Sequence, residues 1–195
     1  MHLFLNFATS IHIIRNMKST TQTSLLIFFL CIISYAPLPA ISISLYESLC
    51  NEYSNPSRNI KLCLNILKTD PKITSATNYH DLSQHILEKA AQDSQVVFQD
   101  FKEAKKRFPN DPAINSCIKE YTDTVIQGFV DAMSSLPVEP QKSRESAIKA
   151  GFGANNCQKA FEKPEEKNVL ATIHLRNNEI FFLGVIASLS IIHLM

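Results

Sequence analysis

The sequence predicts an all-α protein organised around two disulfide-stapled helical hairpins, one short and one long. Three observations carry this. Apolar residues recur at steps of three and four through most of the chain, the period of a helix with one buried face. Prolines separate these stretches at Pro56, Pro71, Pro109, Pro112, Pro137 and Pro140, and proline both lacks an N–H and bars its predecessor from helix. Only 4 glycines and no Trp occur in 195 residues, too few special backbone positions for a turn-rich β architecture.

The leader comes first. Leu25 to Tyr35 is an apolar run preceded by Lys18 and broken by Pro37 and Pro39, and Ala40-Ile41-Ser42 supplies small residues for cleavage. This predicts a secretory signal peptide over residues 1–42, with Met17 as an alternative start. The apolar run is shorter than the roughly 20 residues of a membrane span. Cleavage removes Cys31 and leaves Cys50, Cys63, Cys117 and Cys157, an even set for an oxidising compartment. Four cysteines allow three connectivities. The midpoint of Cys50 and Cys63 falls beside Pro56, and that of Cys117 and Cys157 falls on Pro137. Helices folding back at those prolines bring each pair to one height, which favours Cys50–Cys63 and Cys117–Cys157.

The mature region, residues 43–195, then reads in order. Residues 41–52 form a short helix with Leu45, Leu49 and Tyr53 on one stripe, and Ser54 to Ser57 form a turn. Residues 59–68 return with Ile60, Cys63, Leu64 and Leu67 inward, closing a hairpin over 43–70. Lys72 to Asn78 is ambiguous, at most a short helical turn. Residues 79–108 are the longest pattern, with Leu82, Ile86, Ala90, Val97, Phe101, Ala104 and Phe108 inward. The opposite face, with Glu88, Lys89, Asp93, Lys102, Glu103 and Lys106, reads as solvated. Asp111 caps the next helix and Pro112 suits its first turn. Residues 112–136 follow, with Ile114, Ile118, Tyr121, Val125, Phe129, Ala132 and Leu136 inward. Residues 141–161 turn Ala147, Gly151, Ala154, Cys157 and Phe161 inward, and the small residues 147, 150, 151 and 154 imply close approach to a neighbour. Pro164 to Lys167 is a polar break. From Val169 a last helix runs into the apolar tail Ile180 to Met195, which reads as a buried closing helix in preference to a membrane span or a lipid-anchor signal.

Chemistry is absent from these patterns. Without Arg15 and Lys18 the mature chain is close to neutral and has no basic stripe, so no strong field recruits nucleic acid or an anionic membrane. His80, His85, His174 and His193 lie in no metal-binding spacing, and Cys-x12-Cys and Cys-x39-Cys match no zinc pattern. Glu165 and Glu166 stand in a charged linker, Ser134 and Ser135 end a helix without a histidine, and no glycine-rich phosphate loop occurs. Neither an enzyme, a cofactor nor a metal is expected. No Asn-x-Ser/Thr sequon free of proline occurs, since Asn55 precedes Pro56.

The ordered set of features resembles the plant invertase and pectin methylesterase inhibitors. It comprises the leader, the Cys50–Cys63 hairpin, Cys117 to Asp123 with Cys-x-x-x-Tyr, Ser146 to Phe161 ending in Cys-x-x-x-Phe, and the apolar final helix. The resemblance implies an up-down-up-down four-helix bundle over 79–195, preceded by a projecting hairpin and closed by the same two disulfides. It implies a secreted, apoplastic, non-catalytic protein that blocks the cleft of a pectin methylesterase by stoichiometric complex formation. The alternatives are an acid invertase as target, or a secreted bundle with no inhibitory target. An invertase-type Pro-Lys-Phe motif is not intact here, where the chain reads Pro140-Gln141-Lys142-Ser143, and Asn156 stands where pectin methylesterase inhibitors often carry Thr. The sequence specifies no target-binding residues beyond the exposed polar positions of the 79–108 and 112–136 helices.

Overall fold

The computed structural model describes residues 43–53, 57–161 and 170–195. The expected signal peptide with Met17 and Cys31, most of the turn at Pro56, and the break at Pro164 to Lys167 lie outside the described residues. Residues 43–195 form one compact unit. Among the described residues every regular element is helical.

The short hairpin is α1 (Leu45–Glu52) and α2 (Ser57–Leu67). Helix α1 starts later than its apolar stripe suggests, because Ser44 caps it. The Glu47 carboxylate accepts from the Ser44 backbone N–H at 3.0 Å and from its hydroxyl at 2.7 Å. Those bonds, the hydroxyl first, hold the Glu47 carboxyl below its ordinary pKa. Cys50 and Cys63 are bonded, with Cα atoms 5.6 Å apart. Asp70 then caps the short α3 (Pro71–Thr74), accepting from Lys72 N–H at 2.9 Å, so Asp70-Pro71 both ends the hairpin and starts a new turn.

The hairpin does not project. Leu49, Cys50, Cys63, Leu67 and Ile73 are fully buried and continue the core formed by Leu82, Ile86 and Leu87. Tyr53 meets the Phe182 ring edge-on at 5.1 Å. The His193 ring stacks on Tyr79 at 3.8 Å and places Nε2 2.9 Å from a Glu52 carboxylate oxygen. So small a hairpin cannot enclose its own apolar side chains, and the end of the bundle supplies the missing surface.

The bundle is α4 (Tyr79–Arg107), α5 (Pro112–Glu120) continued through a π-helical turn (Tyr121–Val125) into α6 (Ile126–Ser135), α7 (Pro140–Ala160) and α8 (Ala171–Ile192). They run up, down, up and down, with α4 beside α6 and α8, and α7 beside α6 and α8. Asn78 caps α4 through Asp81 N–H at 2.9 Å, and Asp111 caps α5 through Ile114 N–H at 2.9 Å. The expected inward residues of these helices are buried, with two departures. Phe108 ends α4 at φ −130° and is 41 % exposed, because the helix stops beneath it. Ile118 is only half covered.

The π turn also interrupts what the periodicity presents as one helix. It sits where α7 presses close, since a Cβ added at Gly153 would lie 2.9 Å from Val125 Cγ2 and 3.0 Å from Thr124 Cγ2. The wider turn places both Tyr121 and Val125 in the core.

Helix α7 is the hub of the bundle. A Cβ on Gly128 of α6 would meet the Ala150 Cβ at 2.9 Å, and one on Gly184 of α8 would meet the Gly151 Cα at 2.8 Å and the Ala147 carbonyl at 2.9 Å. All 4 glycines of the chain lie at these helix contacts. The apolar tail closes the bundle, with Ile180, Phe182, Leu183, Ile186, Ala187 and Ile191 buried. By length and composition α8 could cross a membrane, yet over half of its most apolar window is covered by the rest of the fold.

Candidate functional site

The interior of the bundle holds a polar chain beside the second disulfide. Cys117 and Cys157 are bonded, with Cα atoms 4.7 Å apart. One helical turn on, the Tyr121 hydroxyl donates to Asn177 Oδ1 at 2.8 Å. Asn177 Nδ2 donates to the Ala154 carbonyl at 2.9 Å and to Gln158 Oε1 at 3.0 Å. Gln158 Nε2 then reaches His174 Nδ1 at 3.1 Å. Tyr121 and Asn177 are fully buried, and burial drives the phenol far above its ordinary pKa. Burial likewise lowers the His174 pKa, in keeping with a neutral ring that accepts at Nδ1. Phe161 packs edge-on against the His174 ring and stacks on Phe101. The Tyr and Phe of the two cysteine motifs are therefore interior residues that join α5, α7 and α8. They offer nothing to a partner.

The remaining polar candidates are dispersed. His80 lies beside Asp81 at 3.6 Å on the surface, His85 beside Glu88 at 3.3 Å, and the Ser134 hydroxyl donates to its own helix at Val130. Among the described residues no group of His, Cys, Asp and Glu converges as metal ligands do. Glu165 and Glu166 lie outside the described residues.

The exposed face of α7 is a different kind of surface. The buried stripe through Ala147, Gly151, Ala154 and Cys157 leaves Lys142, Glu145, Lys149, Phe152, Asn156 and Lys159 outward. Phe152 is 56 % exposed. It stands between Gly151 and Gly153, both closely packed against neighbouring helices. An exposed aromatic ring is among the side chains enriched at protein contacts. Periodicity already turns position 152 away from the core, and an aromatic there was the available signal.

At the start of α7, Val138, Gln141 and Lys142 are exposed, and Lys142 lies 3.7 Å from Glu139. Ser143 turns inward, where its hydroxyl donates to the Ala132 carbonyl at 2.8 Å. The Pro140 to Ser143 segment therefore presents two side chains outward and spends the fourth on closing α6 against α7.

A cleft of about 500 Å³ separates the hairpin from the bundle, lined by Asn65, Ile66 and Thr69 of the hairpin side and by Lys89, Asp93, Val97, Arg176, Glu179 and Ile180. Lys89 pairs with Asp93 at 2.9 Å, and Arg176 pairs with Asp100. Burial, and then the nearby Asp93 charge, raise the Glu179 pKa.

These features define a helical-bundle fold of the pectin methylesterase inhibitor type. A crystal structure of a mutant form of a pectin methylesterase inhibitor from Arabidopsis matches with a TM-score of 0.64 over 76% of this chain and 96% of that one, at 19% identity. A second, a pectin methylesterase inhibitor from Arabidopsis thaliana, matches with a TM-score of 0.56 over 77% and 95%, at 18% identity. No family model and no curated protein sequence matches the chain.

Proposed function

We propose that this chain is a secreted, non-catalytic inhibitor of pectin methylesterase, acting as residues 43–195 after loss of residues 1–42. The observation that supports it is the fold likeness to two solved pectin methylesterase inhibitors across nearly their whole length. A fold alone does not carry a function, so the reading also leans on the surface. Here the exposed face of α7 is the docking centre, with Phe152 as its anchor. The Cys117–Cys157 disulfide ties α7 to α5, so that little ordering is lost when a partner covers that face. An acid invertase is the alternative target, and the Pro140 to Ser143 turn argues against it, because Ser143 is committed to the core.

Mixing the secreted protein with a plant pectin methylesterase should abolish ester hydrolysis at near-equimolar ratio, while a parallel acid invertase assay stays unchanged. Phe152→Ala should weaken inhibition by about ten- to a hundredfold without altering the helical spectrum. Undiminished activity of the esterase at micromolar protein would reject the reading, and loss of invertase activity alone would replace it with the alternative.

A further inference from the structure

The last turns of α4 carry a charge cluster that the α7 docking face leaves unused. Lys102, Lys105, Lys106 and Arg107 lie within six residues of sequence, and all four are exposed. Lys105, Lys106 and Arg107 complement the negative end of the helix dipole, which accounts for cations in the final turn. It does not account for the rest of the arrangement. Lys102 lies one turn earlier, with its ammonium held 5.2 Å from the centre of the Phe98 ring. Arg107 lines a groove of about 220 Å³ between α4 and α8, together with Thr172, Ile173 and Arg176. The acids in this groove are occupied: Asp100 holds Arg176, and Glu103 holds Lys106 at 2.6 Å. Lys102, Lys105 and Arg107 are left without a carboxylate within 4 Å among the described residues. A chain that is nearly neutral overall thus concentrates unpaired cations at one end of one helix.

We propose that this helix end, from Lys102 to Arg107, is a docking site for a linear anionic polysaccharide bearing carboxylates. Lysines three and four residues apart lie on one helix face about 5–6 Å apart, a spacing suited to a polymer with regularly repeated charges. The choice of polymer rests on the extracellular reading above, and de-esterified pectin is the carboxylate polymer that a pectin methylesterase would leave behind. The cluster brings the inhibitor to the polymer on which its target works. It lies on α4, whereas the proposed enzyme contact lies on α7, so the two attachments are separable by mutation.

Binding is measured by co-sedimentation with polygalacturonate over a range of salt, with fully methyl-esterified pectin as the uncharged control. The wild-type protein should bind polygalacturonate, release it as salt rises, and ignore the esterified polymer. The exposed-site variant Lys102→Gln/Lys105→Gln/Arg107→Gln should bind at least tenfold more weakly. Its plot of log affinity against log salt should be shallower by about two, as three lost charge contacts require. Its helical spectrum and its inhibition of esterase on a soluble, unattached substrate should be unchanged. Lys106→Gln, which removes a cation already held by Glu103, gives a second, smaller loss. Equal binding of wild type and triple variant would overturn the site, and so would equal binding to both polymers. Binding to duplex DNA or anionic vesicles as tight as to polygalacturonate would replace it with a non-selective cationic patch. Polygalacturonate binding in a protein that inhibits no esterase would leave this site standing and reject the proposed function.

Discussion

Helix α8 meets the rest of the molecule along two unlike seams. On one side it lies against α7 with glycine facing glycine, and a single added carbon at Gly184 would fall within 3 Å of backbone. On the other side its first half faces α4 and α2 across a cleft of about 500 Å³ lined with Lys89, Asp93, Arg176 and Glu179, and beyond the cleft it packs on α4, where Ser83 donates to Ser190 in the interior at 2.9 Å. The first seam is closed by shape and holds the buried Asn177 chain beside a disulfide. The second is open along the cleft, with charged side chains paired in the presence of water, where an ion pair contributes little. One helix thus serves both a rigid interior and a hydrated junction with the hairpin. The stability of the fold should depend on the first seam far more than on the second.

Removing the disulfide beside the tight side, which joins α5 to α7, gives the largest expected effect. Cys117→Ser with Cys157→Ser frees a loop of sequence separation 40 and should cost about 4 kcal/mol by chain entropy, read as a lower denaturant midpoint. Next comes Gly184→Ala, whose methyl meets only backbone, and overpacking of this kind costs about 3 kcal/mol. The matched variant Gly151→Ala has its nearest contact at 3.2 Å and gains helix propensity, so its thermal midpoint should move by much less. If the two alanines behave alike, the seam is not closed by shape.

Tyr121→Phe leaves Asn177 Oδ1 buried without its donor and should cost about 1–2 kcal/mol. The smallest effect lies on the open seam. The folded pKa of Glu179 is raised, so its contribution to stability is full below the unfolded glutamate pKa and is lost as pH rises through the folded value. Melting curves taken from about pH 4 to 7 should show Glu179→Gln flattening this decline and sparing the stability seen in acid. An unaltered pH profile would place the cleft's charge sensitivity elsewhere.

Much of this fold was legible in the residues. Prolines and capping aspartates marked the helix limits, Asp70-Pro71 and Asp111-Pro112 most clearly, because those limits are set by local backbone chemistry. The stripe of small residues on 141–161 announced a close neighbour, and Gly184 proved to be that neighbour. The π turn was hidden, since one widened turn barely changes the spacing of Tyr121, Val125 and Phe129. Asn177 was also invisible, because a polar residue in an apolar helix acquires meaning only from Tyr121, Ala154 and Gln158, which are distant in sequence. Of the proposed contact surface, the outward aspect of Phe152 was readable, but not the close packing of the glycines beside it.

The sequence by itself determined the helices, their limits and their buried stripes, because capping, proline geometry and periodicity act within a few residues. It also set the symmetry of the cysteine pairs about Pro56 and Pro137. Only the tertiary structure decided that the hairpin lies on the bundle, with Leu49, Leu67 and Ile73 in the common core. It alone decided where α8 is closed and where it is open, and which outward residues stand over close helix contacts. Those outcomes depend on which surfaces meet, and surfaces meet only when the whole chain has folded.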